Sequence, residues 1–538
     1  MSSNPSFDGM RSGGFVGGFP ADFRHPLLRN PDSMTTRPDL RLAIDIGGTF
    51  TDTVLCEGKE ILGSTKTLTT HDDPSTGALT GVQDLLDAEG VDIGDLTGFV
   101  HGTTLATNAL IERRGSVVAT ITTRGFRDIL EIAYERRYDQ YNINIEKPDL
   151  IVPRRRAFTV PERISVHGDI LLPLDYNALP GLIEELDTCR AEAVAICLLH
   201  AYANPEHEER LRDALLAERP GLSVSISSEI SPEAREFDRL CTTIANAYIQ
   251  PLIAGYLQAF ILAFEECGLS CPILMMTAGG GMTTIDTASR LPIRLVESGP
   301  AGGAILAARV ARQCGADRVL SFDMGGTTAK LCLIDSYNPQ TSRHFEIARA
   351  ERFMKGSGMP VRIPVVEMVE IGAGGGSIAS VDRLGRLAVG PKSAGSDPGP
   401  IAFGRGGDLP TVTDADIALG LIDPGPFAEG RLHVDRDAAE TGLSEQVGAH
   451  LALDPGAAAA GVSEIVDENM AAAARVHAVE AGKDLGTRTM IAFGGNGPLH
   501  ATRMARRAGV SEIIVPPQPG VGSAVGFQFA PVSFEIVR

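Results

Sequence analysis

Arg41-Leu42-Ala43-Ile44-Asp45-Ile46-Gly47-Gly48-Thr49-Phe50-Thr51-Asp52 opens the ordered part of the chain. Arg318-Val319-Leu320-Ser321-Phe322-Asp323-Met324-Gly325-Gly326-Thr327-Thr328 repeats its form 278 residues later, counted between Asp45 and Asp323. Each is a short β-type run ending in Asp-x-Gly-Gly-Thr. In the first copy a second β-type run, Thr53–Cys56, follows at once, which predicts a hairpin. A period this long is no solenoid repeat; it predicts two related domains. Strand, turn and helix signals alternate in both halves, which predicts α/β layers.

Working outward, Phe99-Val100 leads into a Gly-Thr-Thr turn, and Val117–Thr122 and Ala193–Leu199 read as strands. Ser231-Pro232-Glu233 reads as a helix start, with Ser as cap and Pro in the first turn; the helix is expected to reach Gln250, where Pro251 starts or kinks the next segment. Residues 1–40, rich in Gly, Ser, Pro and Arg, read as an extended arm. The expected divisions are 1–40, 41–226, 227–530 and 531–538.

Length and composition narrow the function classes. The 538 residues suffice for three or four domains or two large ones. Apolar residues are 43% and charged residues 22%, an ordinary globular balance. A formal charge of −20 disfavours nucleic acid and anionic membrane surfaces as partners. Eight Cys without a CxxC pair, and no apolar leader in residues 1–40, predict reduced thiols in a cytoplasmic protein. No His-x-x-x-His or Ser-His-Asp pattern supports metal hydrolysis by this chain alone.

The glycine-rich turns carry the chemistry. Two glycines at a hairpin tip let backbone N–H groups approach an anion, and Thr49, Thr51, Thr327 and Thr328 add hydroxyl donors. Asp45 and Asp323, at the ends of their strands, suit a Mg²⁺-bound water or a base. One such turn reads equally well as a tight turn with an Asx cap; two in one chain point to a nucleotide triphosphate between paired loops. Glu297-Ser298-Gly299-Pro300-Ala301-Gly302-Gly303 leads into a helix over 304–313, whose N-terminus suits phosphate or ribose, although Glu297 also suits a cap. His101 stands at a strand end, where either a cleft ligand or a structural histidine fits. Arg127-Asp128 and Arg136-Arg137 read as substrate-side residues or as a solvated ion-pair face. Gly372–Ser377 reads as a hinge for domain closure or a flexible loop.

These motifs, with His101–Asn108 and Phe493-Gly494-Gly495-Asn496-Gly497-Pro498-Leu499-His500, resemble the hydantoinase A family, within the actin, sugar-kinase and heat-shock-chaperone superfamily. The resemblance spans 41–538 and implies two related domains with an ATP cleft between them. It implies that Asp45, Gly47, Gly48 and Thr49 form a first phosphate loop, with Thr51 beside it. Asp323, Gly325, Gly326, Thr327 and Thr328 would form the second, with Gly299, Gly302, Gly303 and Lys330 near the phosphates. Gly494, Gly495 and Gly497 would lie against adenosine, Asp45 and Asp323 would hold Mg²⁺ or Mn²⁺, and Asp45, Asp323 and His101 would act in catalysis.

The chain departs from the family pattern in placing Lys330 where aspartate is common. It also stops at Val532-Ser533-Phe534-Glu535-Ile536-Val537-Arg538, which reads as the first strand of a further domain. That implies a small partner chain supplying the domain, together with a hydantoinase B-type subunit. The implied activity is ATP-dependent carboxylation of a ketone, closest to the acetophenone carboxylase branch. Alternatives are hydrolysis of a cyclic amide (hydantoin, oxoproline or lactam), a non-catalytic nucleotide-binding subunit and, third, a sugar kinase.

Overall fold

Aliphatic and β-branched residues before Gly47 form strand β1 (Leu40–Ile46), followed by β2 (Phe50–Glu57) and β3 (Glu60–Leu68). The computed structural model describes residues 39–48, 50–70, 74–135, 137–145, 149–349, 356–427 and 432–535. Thr49, Arg136 and nearly all of the expected arm lie outside these residues. The Gly47 N–H donates to the Phe50 carbonyl at 3.0 Å and closes the predicted hairpin. In register, Asp45 stands opposite Asp52, and Asp52 opposite Lys66. Helix α1 (Pro74–Glu89) buries Ala78, Val82, Leu85 and Leu86 in the core that holds Leu42 and Ile44. Strand β4 (Gly98–Thr103) runs parallel to β1 and passes into α2 (Leu105–Ile111).

Strands β5 (Val118–Thr123), β6 (Ala157–Val160), β7 (Ala193–Cys197) and β8 (Ser223–Ile226) form a separate parallel sheet in the order β8-β7-β5-β6. The following helix, α3 (Glu236–Glu266), differs from expectation at both ends. It starts four residues beyond Pro232, because Arg235 turns the backbone with φ of 85° and the Arg239 guanidinium ties the Glu233 carbonyl at 3.0 Å. It also continues past Pro251. Proline removes one N–H donor, and buried Ile249, Ile253 and Leu257 hold the helix to the core on either side. Among the described residues α3 is the one helix long and apolar enough to cross a membrane; Leu240, Ile244 and Ile253 are buried in the protein.

Strands β9 (Ile273–Met276) and β10 (Met282–Thr284) return to the first sheet, whose order is β10-β9-β4-β1-β2-β3. A boundary at 226/227 therefore cuts this sheet. The tail is placed here too: the Met282 N–H donates to the Pro531 carbonyl at 2.8 Å, and the Ser533 N–H to the Met282 carbonyl at 3.1 Å. Val532 thus forms an isolated parallel bridge to Met282, and Val532 and Phe534 keep exposed side chains.

Helix α4 (Ser298–Cys314) leads to β11 (Arg318–Met324), β12 (Ala329–Asp335), β13 (Asn338–Pro339) and β14 (Met368–Ile371). After α5 (Val412–Ala418) and α6 (Pro455–Glu480), strand β15 (Thr489–Phe493), α7 (Gly497–Ala508), β16 (Glu512–Ile514) and α8 (Gly522–Phe527) complete this half. The sheet reads β13-β12-β11-β15-β16, with β14 also pairing β12. Both sheets thus carry an antiparallel hairpin continued by parallel strands.

Helices α4 and α8 share one core with both sheets, including Ala43, Val100, Ala304, Val319, Phe493 and Phe527. The small residues of α4 are what let the elements meet. A Cβ on Gly526 would stand 1.9 Å from the Gly302 carbonyl oxygen. Two α/β halves, each an antiparallel hairpin continued by parallel strands, pack around shared helices, as the expectation of two α/β domains required. All eight cysteines are free thiols.

Candidate functional site

The two Asp-x-Gly-Gly turns open onto one cavity of about 1330 Å³. Asp45, Gly47 and Gly48 line it from the first half; Asp323, Gly325, Gly326, Thr327, Thr328 and Lys330 line it from the second. Gly299 and Gly494-Gly495-Asn496 complete the wall between them. The second turn has the geometry of the first, with the Gly325 N–H donating to the Thr328 carbonyl at 3.0 Å.

Several of these glycines are not required by the fold. A Cβ on Gly326 or Gly495 would meet nothing within 4 Å, and one on Gly48 or Gly325 would meet its nearest atom at 3.9 Å. None of the four has a positive φ. A side chain there would project into open cleft, so what the glycines leave free is space for a ligand against bare backbone.

Other glycines of the motif serve packing. Gly494 has φ of 85°, and a Cβ there would lie 2.4 Å from Asp323 Oδ1. A Cβ on Gly302 would meet the Phe527 ring at 2.3 Å, and one on Gly303 the Phe493 ring at 2.7 Å. Both are buried in α4 and absent from the cleft wall, which corrects their assignment to phosphate. Gly299 does face the site, with Asp45 Oδ2 only 3.1 Å from its missing Cβ.

Three further expectations are corrected. Gly497 begins α7 beneath the turn and does not line the cleft. Thr51 is fully buried and bonds the Thr69 hydroxyl at 3.1 Å, since its register position points into the sheet's packed face. His101 is fully buried as well, stacked on Phe260 at 4.4 Å with Nε2 2.9 Å from the Tyr256 hydroxyl. Burial pushes its pKa down to about 4, so it is a neutral core residue and not a cleft base.

A row of charged side chains crosses the strands that carry each turn. In the first sheet the row is Asp45, Asp52, Lys66, with Lys66 donating to Asp52. In the second it is Asp323, Lys330, Glu370. Lys330 Nζ lies 2.9 Å from Glu297 Oε2 and 3.7 Å from Glu370 Oε1, so its charge is engaged by carboxylates. Burial opposes the Lys330 ammonium, but Glu297 and Glu370 outweigh it and raise its pKa. Glu297 itself takes a left-handed backbone, φ 63°, at the N-cap of α4. Such strain in a non-glycine residue concentrates at functional sites.

At the aspartates, burial outweighs the neighbouring lysines. Burial, then Asp52 and Asp323, push the Asp45 carboxyl up to about 7. Burial chiefly pushes Asp323 up to about 6. Asp45 Oδ1 is buried without a hydrogen-bond partner. A divalent cation fits this need. Among the described residues no group of three or more His, Cys, Asp or Glu side chains is arranged to hold a metal by itself. Asp45 and Asp323 fit a cation that takes one or two protein carboxylates.

The Gly372–Gly376 tract is neither hinge nor loose loop. The Gly375 N–H donates to the Gly325 carbonyl at 3.1 Å and the Gly376 N–H to the Gly326 carbonyl at 2.6 Å. A Cβ on Gly374 would strike the Thr327 backbone at 2.6 Å. The tract is a strap seated directly behind the second turn. Sequence reading had no role for Asp52, Lys66, Glu370 or Asn496, all in the cleft wall. Aligning the two repeats places Asp52 at the position of Lys330, a signal that was there to find; Lys66 and Glu370 emerge only from strand register.

The family model for the hydantoinase/oxoprolinase N-terminal region matches residues 41–218, and that for hydantoinase/oxoprolinase matches 239–536. Caprolactamase subunit alpha of Pseudomonas jessenii is 32% identical over 487 residues, covering 89% of this chain and 69% of that one. The gamma subunit of acetophenone carboxylase from Aromatoleum aromaticum is 31% identical over 518 residues, covering 93% and 68%. A solved structure of acetone carboxylase superposes with a TM-score of 0.79 at 26% identity, covering 92% of this chain and 70% of that one. The chain belongs to the hydantoinase/oxoprolinase family.

Proposed function

We propose that this chain is the ATP-binding subunit of a multi-subunit, ATP-dependent carboxylase acting on a ketone such as acetophenone. The observation that carries the reading is the pair of glycine turns whose Cβ positions open onto one cleft beside an unpartnered carboxylate oxygen. ATP with Mg²⁺ or Mn²⁺ supplies a phosphoryl group that turns an oxygen of bicarbonate or an enol into a good leaving group. The backbone N–H groups of Gly48 and of Gly326–Thr328, which the hairpin bonds of Gly47 and Gly325 leave free, bind and orient the phosphates. Asp45 and Asp323 hold the cation, and Gly495 offers the adenosine a surface free of side chains.

Similarity to proteins named as subunits of carboxylases and caprolactamase supports a hetero-oligomer with a hydantoinase B-type partner. The likeness to caprolactamase favours a second reading, ATP-dependent hydrolysis of a cyclic amide. The test is ADP release by the chain with its co-purifying subunits. Stimulation by acetophenone only when bicarbonate is present supports the first reading, and stimulation by caprolactam alone supports the second. Mg-ATP binding with no ADP release under either condition would overturn both in favour of a non-catalytic subunit.

A further inference from the structure

His500, on the second turn of α7, is fully buried. Its Nδ1 lies 2.7 Å from Asp467 Oδ1 on α6, and its Nε2 lies 3.1 Å from Asp416 Oδ2 on α5. Carboxylates accept hydrogen bonds, so an imidazole with one on each nitrogen donates from both and is a cation. Burial opposes that charge, but the two carboxylates outweigh it and raise the pKa to about 9. Asp416 Oδ1 and Asp467 Oδ2 have no hydrogen-bond partner, so the imidazole is the main tie on each carboxylate. The other charges facing the group are on α7 and α6. Arg503 lies 3.9 Å from Asp467 Oδ2, and Arg507 is turned toward Glu464 and Glu468.

Two of the three helices joined here support the second glycine turn. Asn496, leading into α7, donates from Nδ2 to the Gly325 carbonyl at 2.9 Å and from its N–H to the Met324 carbonyl at 2.9 Å. On α5, the Thr413 N–H donates to the Gly375 carbonyl at 2.7 Å. Gly375 and Gly376 in turn donate to Gly325 and Gly326.

We propose that the Asp416–His500–Asp467 clasp is a positioning device for the Gly325-Gly326 turn: it locks α5 and α7 together, so that the strap and Asn496 hold the turn's carbonyls and fix the turn at the cleft wall. The inference rests on the nucleotide reading of that turn. Loss of the His500 proton removes the lock, so nucleotide affinity falls as pH rises through the range in which that proton leaves.

The experiment measures Mg-ADP affinity from pH 7.5 to 10, and amide hydrogen exchange at Gly375 and Gly376 without nucleotide. Because His500→Asn leaves two buried carboxylates facing each other and can fail to fold, Asp416→Asn, which keeps the His500–Asp467 pair, is measured beside it. The wild type should lose at least tenfold in affinity across the range. In Asp416→Asn the loss should begin at lower pH, and Gly375 and Gly376 should exchange at least tenfold faster while β1 is unchanged. Wild-type protection and an unshifted pH profile would overturn the proposal, as would a uniform rise in exchange across both sheets. Selectively faster exchange with no Mg-ADP bound by the wild type would fault the nucleotide reading and leave the positioning role standing.

Discussion

Replacing Gly326 by Ala adds one methyl group at a place where the protein offers it no neighbour within 4 Å. The backbone there has no positive φ, so alanine fits without strain. Such a substitution stabilises a protein by about 0.4–1 kcal/mol, because it restricts the unfolded chain. A ligand changes the balance. A phosphate oxygen bonded to the turn's N–H groups sits about 2.9 Å from nitrogen, which leaves no room for a methyl on the adjacent Cα. Forcing them together costs about 1–3 kcal/mol, equivalent to roughly 10- to 100-fold in affinity. Gly494→Ala is the contrasting perturbation, since its methyl would lie 2.4 Å from Asp323 Oδ1 on a backbone with φ of 85°; it should lower stability by about 1–3 kcal/mol. Thermal melts without nucleotide and fluorescence titration with a labelled Mg-ATP separate the two effects. Gly326→Ala binding as tightly as wild type, or melting several degrees lower, would refute the claim that this glycine exists for the ligand.

The aspartates predict an unusual pH dependence. The Asp45 pKa of about 7 in the folded protein lies above the ordinary 3.8, so the folded state binds the extra proton between those values and stability falls as pH rises from about 4 to 7. Asp45→Asn should reduce that slope to the smaller contribution of Asp323 and gain about 2–4 kcal/mol at pH 8, read from urea midpoints at pH 5 and 8; an unchanged slope would contradict the shift. Lys330 lowers the Asp323 carboxyl, so Lys330→Gln should move the acid limb of Mg-nucleotide binding to higher pH, and an identical profile would exclude that coupling. Gly302→Ala should destabilise by about 1–3 kcal/mol through the Phe527 ring while the folded fraction keeps its nucleotide affinity. A stable variant with weakened binding would return Gly302 to the ligand.

The local half of the fold was readable because it is encoded locally. Each Asp-x-Gly-Gly-Thr run makes its own hairpin, and two copies make two sheets. Contacts between distant segments left weaker marks. Strands β9 and β10 belong to the first sheet although the separate sheet of β5, β6, β7 and β8 comes before them in the chain, and nothing in Ile273–Thr284 states which sheet edge it will join. Motif glycines also looked alike in the sequence. Only the atoms around each missing Cβ separate Gly326, which faces open cleft, from Gly302, which admits Phe527 to the core. His101 misled for a related reason: its strand end does approach the cleft, but its side chain lies on the face that packs against α3, beneath Tyr256 and Phe260.

The central claim is that both turns grip one triphosphate, and a crystal structure of the chain with a non-hydrolysable Mg–ATP analogue tests it most directly. The account predicts phosphates lying between Gly47-Gly48 and Gly325-Gly326, with the cation against Asp45 and Asp323 and the base beside Gly495. An analogue bound outside this cleft, or phosphates touching one turn alone, would contradict it.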